Sequence, residues 1–163
     1  MGEEDRIKAD VLLDPGDAAL CAIKRKAHQL SQAYNHTLEE EGEKRGAIVK
    51  ELLKDLGEGS FLQEPIAFHY GKHTKTGKNF FGNFHLTIQD DGEVSIGDNC
   101  NFGPNVTIVT PLHPMLAKER QRMRTASGKE NLYATRSLCA LETIAGLGRM
   151  SRFAPASPLE MGV

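Results

Sequence analysis

The spacing of hydrophobic residues predicts a helix near the start of the chain. From Asp17 to Tyr34 an apolar residue recurs every three or four positions, which is the period of an amphipathic helix. Asp17 precedes this stretch, and its carboxylate is suited to accept hydrogen bonds from the first N–H groups of a helix. The predicted apolar stripe consists of Ala19, Ala22, Ile23, Leu30 and Ala33.

A second amphipathic stretch lies between Thr37 and Gly57. Thr37 is followed three residues later by Glu40, and this pair has the form of a capping box at a helix N-terminus. Gly57 and Gly59 are residues that end helices. The two helices together predict a helical domain over residues 2–58. The apolar side of the second helix is formed by Ile48, Leu52, Leu53 and Leu56.

Short β-prone runs replace the helical pattern from Phe61 onwards. The runs FHLTI, EVSI and NVTIV are separated by corners rich in glycine and asparagine. Ile96, Phe102 and Ile108 follow one another at intervals of six residues, and a six-residue repeat headed by an apolar residue is typical of a β-helix built from hexapeptides. We therefore predict β-helix coils over residues 59–112. The alternative is an ordinary β-meander with an accidental period.

Neither period continues beyond Pro114. The segment MLAKERQRMRTASGKENLYA is polar and basic, and we expect a loop over residues 113–134. Residues 135–163 have neither a clean helical nor a clean strand period, so we expect them to be irregular or weakly helical. The predicted fold is α+β by content, with a helical segment, an incomplete parallel β-helix and an irregular C-terminal tail.

Composition and charge argue against several classes of partner. The chain of 163 residues has a net charge of −2, which gives no electrostatic basis for binding nucleic acid or an anionic membrane. No apolar run approaches the roughly 20 residues that span a bilayer, and the acidic start MGEEDRIKAD is not a secretory signal. Cys21, Cys100 and Cys139 show no CxxC spacing and are typical of reduced thiols. We expect a cytoplasmic protein without a disulfide or metal framework.

One long segment carries a resemblance to a known family. The segment HYGKHTKTGKNFFGNFHLTIQDDGEVSIGDNCNFGPNVTI resembles a block of the maltose and galactoside O-acetyltransferases in which YG, NFFANFN, DD, IGDN and PNV follow in that order. The helical start, with RKAHQL and YNHT, resembles the family's N-terminal domain. Leu112-His113-Pro114 with Arg120 matches the family's element THP followed by an arginine. The resemblance covers residues 2–134.

This resemblance implies a fold, an assembly and a reaction. The family folds as a left-handed parallel β-helix with helices in front of it, and assembles as a homotrimer with each active site between two subunits. It transfers acetyl from acetyl-CoA, a co-substrate, directly to a sugar hydroxyl, with no bound cofactor. A general base is needed because a hydroxyl attacks a thioester poorly until its proton is removed. By resemblance this base is His113, which is otherwise a solvated loop histidine before a proline.

The resemblance also assigns residues to the acceptor pocket. Asn83 matches an asparagine that contacts the acceptor, and Asp91 matches a carboxylate that binds sugar hydroxyls. Amide and carboxylate groups supply the donors and acceptors that a polyol requires, although both residues are also common in turns. Phe81 stands where some members have tyrosine. His69 stands where the galactoside enzymes have serine, which points away from a galactoside as the acceptor.

Two further acceptor residues are assigned near the start of the chain. The family's N-terminal acidic residue falls between Asp14 and Asp17, of which we place Asp17 in the pocket. Its basic partner falls on Lys24, with Arg25 adjacent. The family binds CoA through later hexads, a coil that bears a tryptophan and a closing segment rich in lysine and proline. This sequence contains no tryptophan, and no residue is assigned to CoA.

We interpret the tail as the product of a change of reading frame. Back-translated with a shift of one nucleotide, RSLCALETIAG allows KPVRIGDNCWLG, and SPLEMGV allows VTIGDG, which are the expected hexads in the expected order. We therefore expect the family frame to be left between Ala134 and Arg136. Most of the CoA site would then be missing. The alternative function is an inactive truncated remnant that at most assembles with full-length relatives.

Two other classes of function stay open. A zinc enzyme on the same architecture, as in the γ-type carbonic anhydrases, would draw on His69, His73, His85 and His113, but their spacing does not match a coil repeat well. The other is a nucleic-acid-binding protein that uses the run KERQRMR. A charge run of this kind is usually a solvated loop, and no aromatic residues accompany it.

Overall fold

The fold begins with two helices and continues as a series of short strands. The computed structural model describes residues 17–112, together with the backbone of three later pairs of residues at 123–124, 130–131 and 136–137. The helices are α1 (Ala18–Asn35) and α2 (Gly42–Leu52). No helix in this described part of the chain is both long enough and apolar enough to cross a membrane.

Asp17 caps α1 as predicted, because its Oδ1 accepts from the N–H groups of Ala19 at 2.9 Å and Leu20 at 3.1 Å. The predicted apolar stripe was wrong in its orientation, since Ala19, Ala22 and Ala33 are exposed. Larger side chains decide the rotation of the helix, because they remove more apolar surface from water than alanine does. The buried face of α1 is formed by Leu20, Ala27, Leu30, Ser31 and Tyr34.

The predicted capping box at Thr37 was also wrong. The Thr37 hydroxyl donates to the Tyr34 carbonyl oxygen at 2.6 Å, so it closes the end of α1 and does not begin α2. The residue before α2 is Glu41, whose side chain accepts from the Leu38 N–H at 2.8 Å. Local hydrogen bonds of threonine and serine compete in this way with capping.

Three parallel sheets follow the helices and form the faces of a coil. Each strand pairs with the strand 20 residues later, as Phe61 pairs with Phe81. The first sheet contains β1 (Phe61–Leu62), β4 (Phe81–Gly82) and β7 (Asn101–Phe102). The second contains β2 (Ile66–Phe68), β5 (Leu86–Gln89) and β8 (Thr107–Val109), and the third contains β3 (Thr74–Thr76) and β6 (Val94–Ile96). Parallel pairing agrees with the predicted β-helix and is not that of a meander.

Each coil is two residues longer than three hexapeptides. Buried positions lie six apart from Leu62 to Phe68, but eight apart from Phe68 to Thr76. The two extra residues therefore lie between the second and third sheets. We call this position the wide corner, and it is formed by residues 69–73 in the first coil and 89–93 in the second.

Asparagines occupy the corner between the third and first sheets. Asn79 and Asn99 have φ angles of 53° and 54°, a left-handed conformation that asparagine tolerates better than most residues. Asn79 Nδ2 donates to Asn99 Oδ1 at 3.0 Å, so the two stacked corners are joined by their side chains. This is the role that the sequence predicts for the asparagine-rich corners.

A buried polar network joins the helices to the first coil. Arg45 of α2 donates to Glu64 Oε2 at 2.6 Å, to the Leu62 carbonyl oxygen at 2.9 Å and to Tyr34 Oη at 2.8 Å. Its guanidinium also lies over the rings of Tyr34, at 4.5 Å, and Phe61, at 5.2 Å. Arg45 is only 4% exposed, and its contacts fix α2 against the start of the β-helix.

Short strands continue the chain beyond the third coil. The strand β9 (Pro111–Leu112) pairs antiparallel with β12 (Arg136–Ser137), and β10 (Met123–Arg124) pairs with β11 (Glu130–Asn131). Residues 136–137 therefore form a strand, whereas the sequence predicted an irregular tail. The edge of β9 offers free backbone hydrogen-bonding groups, with which a passing segment can pair. Most of the predicted loop and tail lies outside the described residues.

Candidate functional site

One side of α1 faces the wide corner with polar residues. Asp17, Lys24 and His28 are spaced by seven and four positions, which puts them on one face of the helix. The ring of His28 lies 5.6 Å from that of His69, the first residue of the wide corner. The charge of Lys24 acts on both His69 and Asp91. Helix α1 and two successive coils therefore bring together Lys24, His69 and Asp91, and the charge of Asp17, a fourth predicted acceptor residue, acts on Tyr70 at the same corner.

His69 is held in its neutral form by its surroundings. Its ring is partly buried and meets the ring of Tyr70 edge-on, with centroids 4.8 Å apart. Burial lowers the pKa of His69 to about 4, and Lys24 and His28 act in the same direction. At neutral pH the imidazole is uncharged, so it offers one N–H donor and one acceptor nitrogen to a polar ligand.

Asp91 is a buried carboxyl group at the same corner of the second coil. It is 5% exposed, and this burial raises its pKa, while the Gln89 side chain and the charges of His73 and Lys24 oppose the increase. Its Oδ2 is buried and has no hydrogen-bond partner among residues 17–112. A buried polar oxygen without a partner is costly, so this atom has an unused capacity to accept a hydrogen bond.

Tyr70 lies beneath α1 and was not singled out from the sequence. It is 1% exposed, packs against Leu20, and has its ring 4.8 Å from that of His73. Burial raises the pKa of Tyr70, and the nearby carboxylate of Asp91 raises it further. Its hydroxyl group, like Asp91 Oδ2, is buried without a hydrogen-bond partner in the described part of the chain.

Asp90 was also missed, although it precedes Asp91 in the sequence. It is fully enclosed, at 0% exposed, and reaches back one coil to the loop that follows His69. Its Oδ1 accepts from the Tyr70 N–H at 2.7 Å and its Oδ2 accepts from the Thr74 hydroxyl at 2.9 Å. Burial raises the pKa of Asp90, and these hydrogen bonds partly offset the increase. The paired aspartates therefore have different surroundings and different contacts.

Phe81 and Asn83 are not near this cluster within one chain. Phe81 belongs to the first sheet, where its ring stacks on Phe61 with centroids 6.2 Å apart. Asn83 lies at the next corner, and its Oδ1 accepts from the N–H of Phe84 at 2.8 Å. In this chain Asn83 therefore satisfies its own turn, which was the alternative reading of the residue.

The remaining predicted residues are either outside the described part of the chain or away from this cluster. His113 and Asp14 lie outside the described residues, and Arg25 is exposed on α1. His85 is an exposed corner residue with a φ angle of 60°. Within the described part of the chain, no three His, Cys, Asp or Glu side chains are grouped so that they would hold a metal ion.

Comparison with known sequences agrees with this architecture. A family model described as a maltose acetyltransferase hexapeptide capping motif matches residues 7–57. The galactoside O-acetyltransferase of Escherichia coli K12 is 37% identical over 111 residues, which are 68% of this chain and 55% of that protein. The chain thus spans little more than half the length of this curated relative.

Solved structures agree as well. A galactoside acetyltransferase in complex with coenzyme A matches with a TM-score of 0.71 and 33% identity, over 84% of this chain and 64% of that one. A maltose O-acetyltransferase from Clostridium difficile 630 matches with a TM-score of 0.71 and 31% identity, over 80% of this chain and 67% of that one. Taken with the parallel coils and the helices in front of them, these matches show that the chain belongs to the maltose and galactoside O-acetyltransferase family of hexapeptide-repeat acyltransferases.

Proposed function

We propose that this chain acts in the transfer of acetyl from acetyl-CoA to a hydroxyl group of a mono- or disaccharide. The observation that carries the proposal is the cluster of Asp17, Lys24, His69 and Asp91 at the wide corner. It combines carboxyl, ammonium and neutral imidazole groups, which suit the many donors and acceptors of a polyol. Relatives that bear the names of galactoside and maltose O-acetyltransferases, one of them solved with coenzyme A, support the same reaction.

The proposed chemistry is a single displacement with His113 as general base. The imidazole takes the proton of the acceptor hydroxyl as its oxygen forms a bond to the thioester carbonyl carbon. The bond from that carbon to sulfur then breaks, and the departing CoA thiolate takes the proton from the imidazolium. The protein gains and loses one proton, so the cycle closes without a bound cofactor.

The coil repeat supports a role for His113 at this corner. In the first two described coils the strand residues pair with those 20 positions later, and position 113 follows Glu93 of the wide corner by that interval. Thr110 already continues the corner into a third coil, because its hydroxyl accepts from the Gly92 N–H at 2.8 Å and donates to the Gln89 carbonyl oxygen at 2.9 Å. If this register continues, the general base and the acceptor cluster share one corner.

We further propose that the active unit is a homotrimer of left-handed coils. Phe81 lies in the first sheet and Asn83 at the corner that follows it, so within one chain they do not complete the acceptor pocket at the wide corner. A neighbouring copy would supply them if each site lies between two subunits, as the family resemblance implies. Exposed aromatic side chains beside them, Phe61 at 39% and Phe84 at 48%, give that copy an apolar surface to cover.

The proposal is tested by release of the CoA thiol. The full chain is mixed with acetyl-CoA and a panel of mono- and disaccharides. The proposed reaction predicts thiol release that depends on the sugar, whereas loss of the CoA hexads through the shifted frame predicts none. Replacement of a general base costs about 10² to 10⁴ in rate, so His113→Asn is expected to lower kcat by that factor. His36→Asn is the matched control, because the His36 ring is exposed at the end of α1 and its Nδ1 bonds the Gln32 carbonyl oxygen of the same helix at 2.7 Å.

The outcomes separate the two readings of the chain. Sugar-dependent thiol release that is lost in His113→Asn supports catalysis by this residue. Sugar binding without thiol release supports the alternative, an inactive remnant that acts as an assembly partner. If neither binding nor release is found with any sugar, the proposed function is wrong.

A further inference from the structure

Asp90 and Asp91 are adjacent residues of the wide corner, but their side chains have different contacts. Asp91 has a buried oxygen without a partner in the described part of the chain, whereas both oxygens of Asp90 are used within the protein. Asp90 is fully enclosed and cannot meet an acceptor directly. Its contacts all go to the loop that carries His69 and His73, one coil earlier.

Four contacts tie that loop to Asp90. The carboxylate accepts from the backbone N–H groups of Tyr70 and Gly71 and from the hydroxyl of Thr74. The Asp90 carbonyl oxygen accepts from His73 Nδ1 at 2.7 Å, which fixes the ring and its tautomer. The loop between His69 and Thr74 is therefore held at both ends by one residue.

Other contacts of the loop are mostly made by its backbone, as in the bonds from the Thr74 N–H to the Gly71 carbonyl oxygen at 2.9 Å and from the His69 N–H to the Ile88 carbonyl oxygen at 3.0 Å, whereas Asp90 is the residue that bonds it through a buried side chain. Gly71 adopts a φ of +69°, and a Cβ atom there would lie 2.4 Å from the Leu52 carbonyl oxygen. The chain thus passes close beneath the end of α2 in a left-handed conformation that only glycine adopts without strain. Burial of a carboxylate destabilises the folded state unless its oxygens accept hydrogen bonds. The hydrogen bonds of Asp90 offset this free-energy cost.

We propose that Asp90 is a positioning residue that holds the 69–74 loop so that His69 faces Lys24 and His28 of α1. This inference rests on the proposed function for its purpose, because the loop is part of the proposed acceptor pocket. Asp90 itself touches no acceptor and no reacting atom. Its effect reaches the pocket through the backbone of Tyr70 and the ring of His73.

The ionisation of His69 reports the position of the loop without any assay of activity. The groups that face His69 are Lys24 and His28 from α1, Tyr70 and His73 from its own loop, and Asp90 from the next coil. Burial and the cations lower its pKa to about 4, whereas the charge of Asp90 raises it. Loss of the Asp90 charge alone would therefore lower the pKa of His69 further, but release of the loop into water would raise it.

The test compares Asp90→Ala with Asp90→Asn by NMR titration of the His69 ring in the full chain. The asparagine oxygen can accept from Tyr70, and its NH₂ can donate to Thr74, so this variant keeps the loop in place. We expect the pKa of His69 to rise by at least about one unit in Asp90→Ala, toward the ordinary value of about 6.5, and to stay low in Asp90→Asn. Ser60→Ala is the control, because Ser60 bonds Gly77 and Phe80 at another corner.

Several results would overturn the proposal. One is a His69 pKa that is unchanged in Asp90→Ala, and another is an equal shift in the alanine and asparagine variants, which would indicate charge and not anchoring. If Asp90→Ala does not fold, Thr74→Val decides, since it removes one anchor and is expected to raise the pKa of His69 by a smaller amount. An unchanged pKa in that variant also contradicts the proposal.

Kinetics then separate this inference from the proposed function. Where the wild-type chain transfers acetyl, Asp90→Ala is expected to lower kcat/KM for the sugar by about 100-fold, because a displacement of about 1 Å costs that much, and Asp90→Asn is expected to restore most of it. If no variant transfers acetyl but the pKa of His69 still rises in Asp90→Ala, the positioning role stands and the proposed reaction fails.

Discussion

Replacing Arg45 by methionine tests the attachment of the helices to the β-helix. Arg45 is 4% exposed. Methionine keeps most of the volume of its side chain but removes the guanidinium, which is bonded to Tyr34, Leu62 and Glu64. The Leu62 carbonyl oxygen keeps a partner, because the Tyr34 hydroxyl donates to it at 2.6 Å. The Glu64 carboxylate loses its bond to Arg45, the main cause of its lowered pKa.

The expected loss of stability follows from the burial of this ion pair. Removing one partner of a buried pair costs about 3–5 kcal/mol, because the other charge stays without compensation. The Glu64 side chain is 22% exposed and can recover some hydration, so we take the lower end, about 3 kcal/mol. Lys44, the preceding residue in α2, forms a pair with Glu41 at 2.9 Å, compared with 2.6 Å for Arg45 and Glu64, but its side chain is 56% exposed. An exposed pair contributes about 0.5 kcal/mol or less.

Urea unfolding of the full chain measures this difference. With an m value of about 2 kcal/mol/M, a loss of 3 kcal/mol lowers the midpoint by about 1.5 M urea. The matched variant Lys44→Met is expected to lower the midpoint by about 0.25 M or less. If the two methionine variants differ by less than about 1 kcal/mol, the Arg45 network does not anchor the helices and our reading of it is refuted.

Two further predictions concern the wide corner. Because His69 has a pKa of about 4 in the folded chain and about 6.5 when unfolded, the unfolded state binds more protons between these values. The free energy of unfolding should therefore fall as the pH drops from about 6.5 to about 4. The expected loss is about 1–2 kcal/mol, because solvent around the partly exposed ring weakens the effect. His69→Gln should remove this part of the pH dependence of unfolding. Gly71→Ala should lower the free energy of unfolding in urea by about 3 kcal/mol, because residue 71 has a φ of +69° and the new Cβ would meet the Leu52 carbonyl oxygen. Gly46→Ala is the control, because the new Cβ has no neighbour within 4 Å, and it should stabilise α2 by up to about 1 kcal/mol. Equal stability of the two alanine variants, or an unchanged pH dependence in His69→Gln, would contradict these predictions.

Local rules in the sequence predicted the start of α1 and the period of the coils, but not the start of α2 or the rotation of α1. The cap at Asp17 and the six-residue interval from Ile96 to Phe102 depend on neighbours in the chain, and both agree with the structure. The rotation of α1 depends on what lies beneath it, and alanines occur on both sides of that helix. Leu20 and Tyr34 fix the rotation of α1 by packing against residues far along the chain. The helical period of the sequence does not reveal these distant contacts.

Residues of the candidate site could be predicted only where the family resemblance assigned them to the acceptor pocket. Asp91 and His69 were named in this way and lie together at the wide corner. Asp90 and Tyr70 were not, because their contact joins residues 20 positions apart, and that interval becomes visible only once the length of a coil is known. The two extra residues in each coil break the six-residue period, so a search for hexapeptides passes over the segment that forms the site.

Binding of a sugar at the wide corner is the central claim of this account. Saturation-transfer NMR with the full chain and a panel of mono- and disaccharides tests it without any need for acetyl-CoA. We expect transfer to at least one sugar, and a loss of about tenfold or more in affinity in Asp91→Asn, since a hydrogen bond to a charged group contributes about 1.5–3 kcal/mol. Glu58→Gln, the same change of carboxylate to amide at an exposed position of another corner, should bind as the wild type does. Equal binding by wild type and Asp91→Asn, or no binding of any sugar in the panel, would contradict the claim.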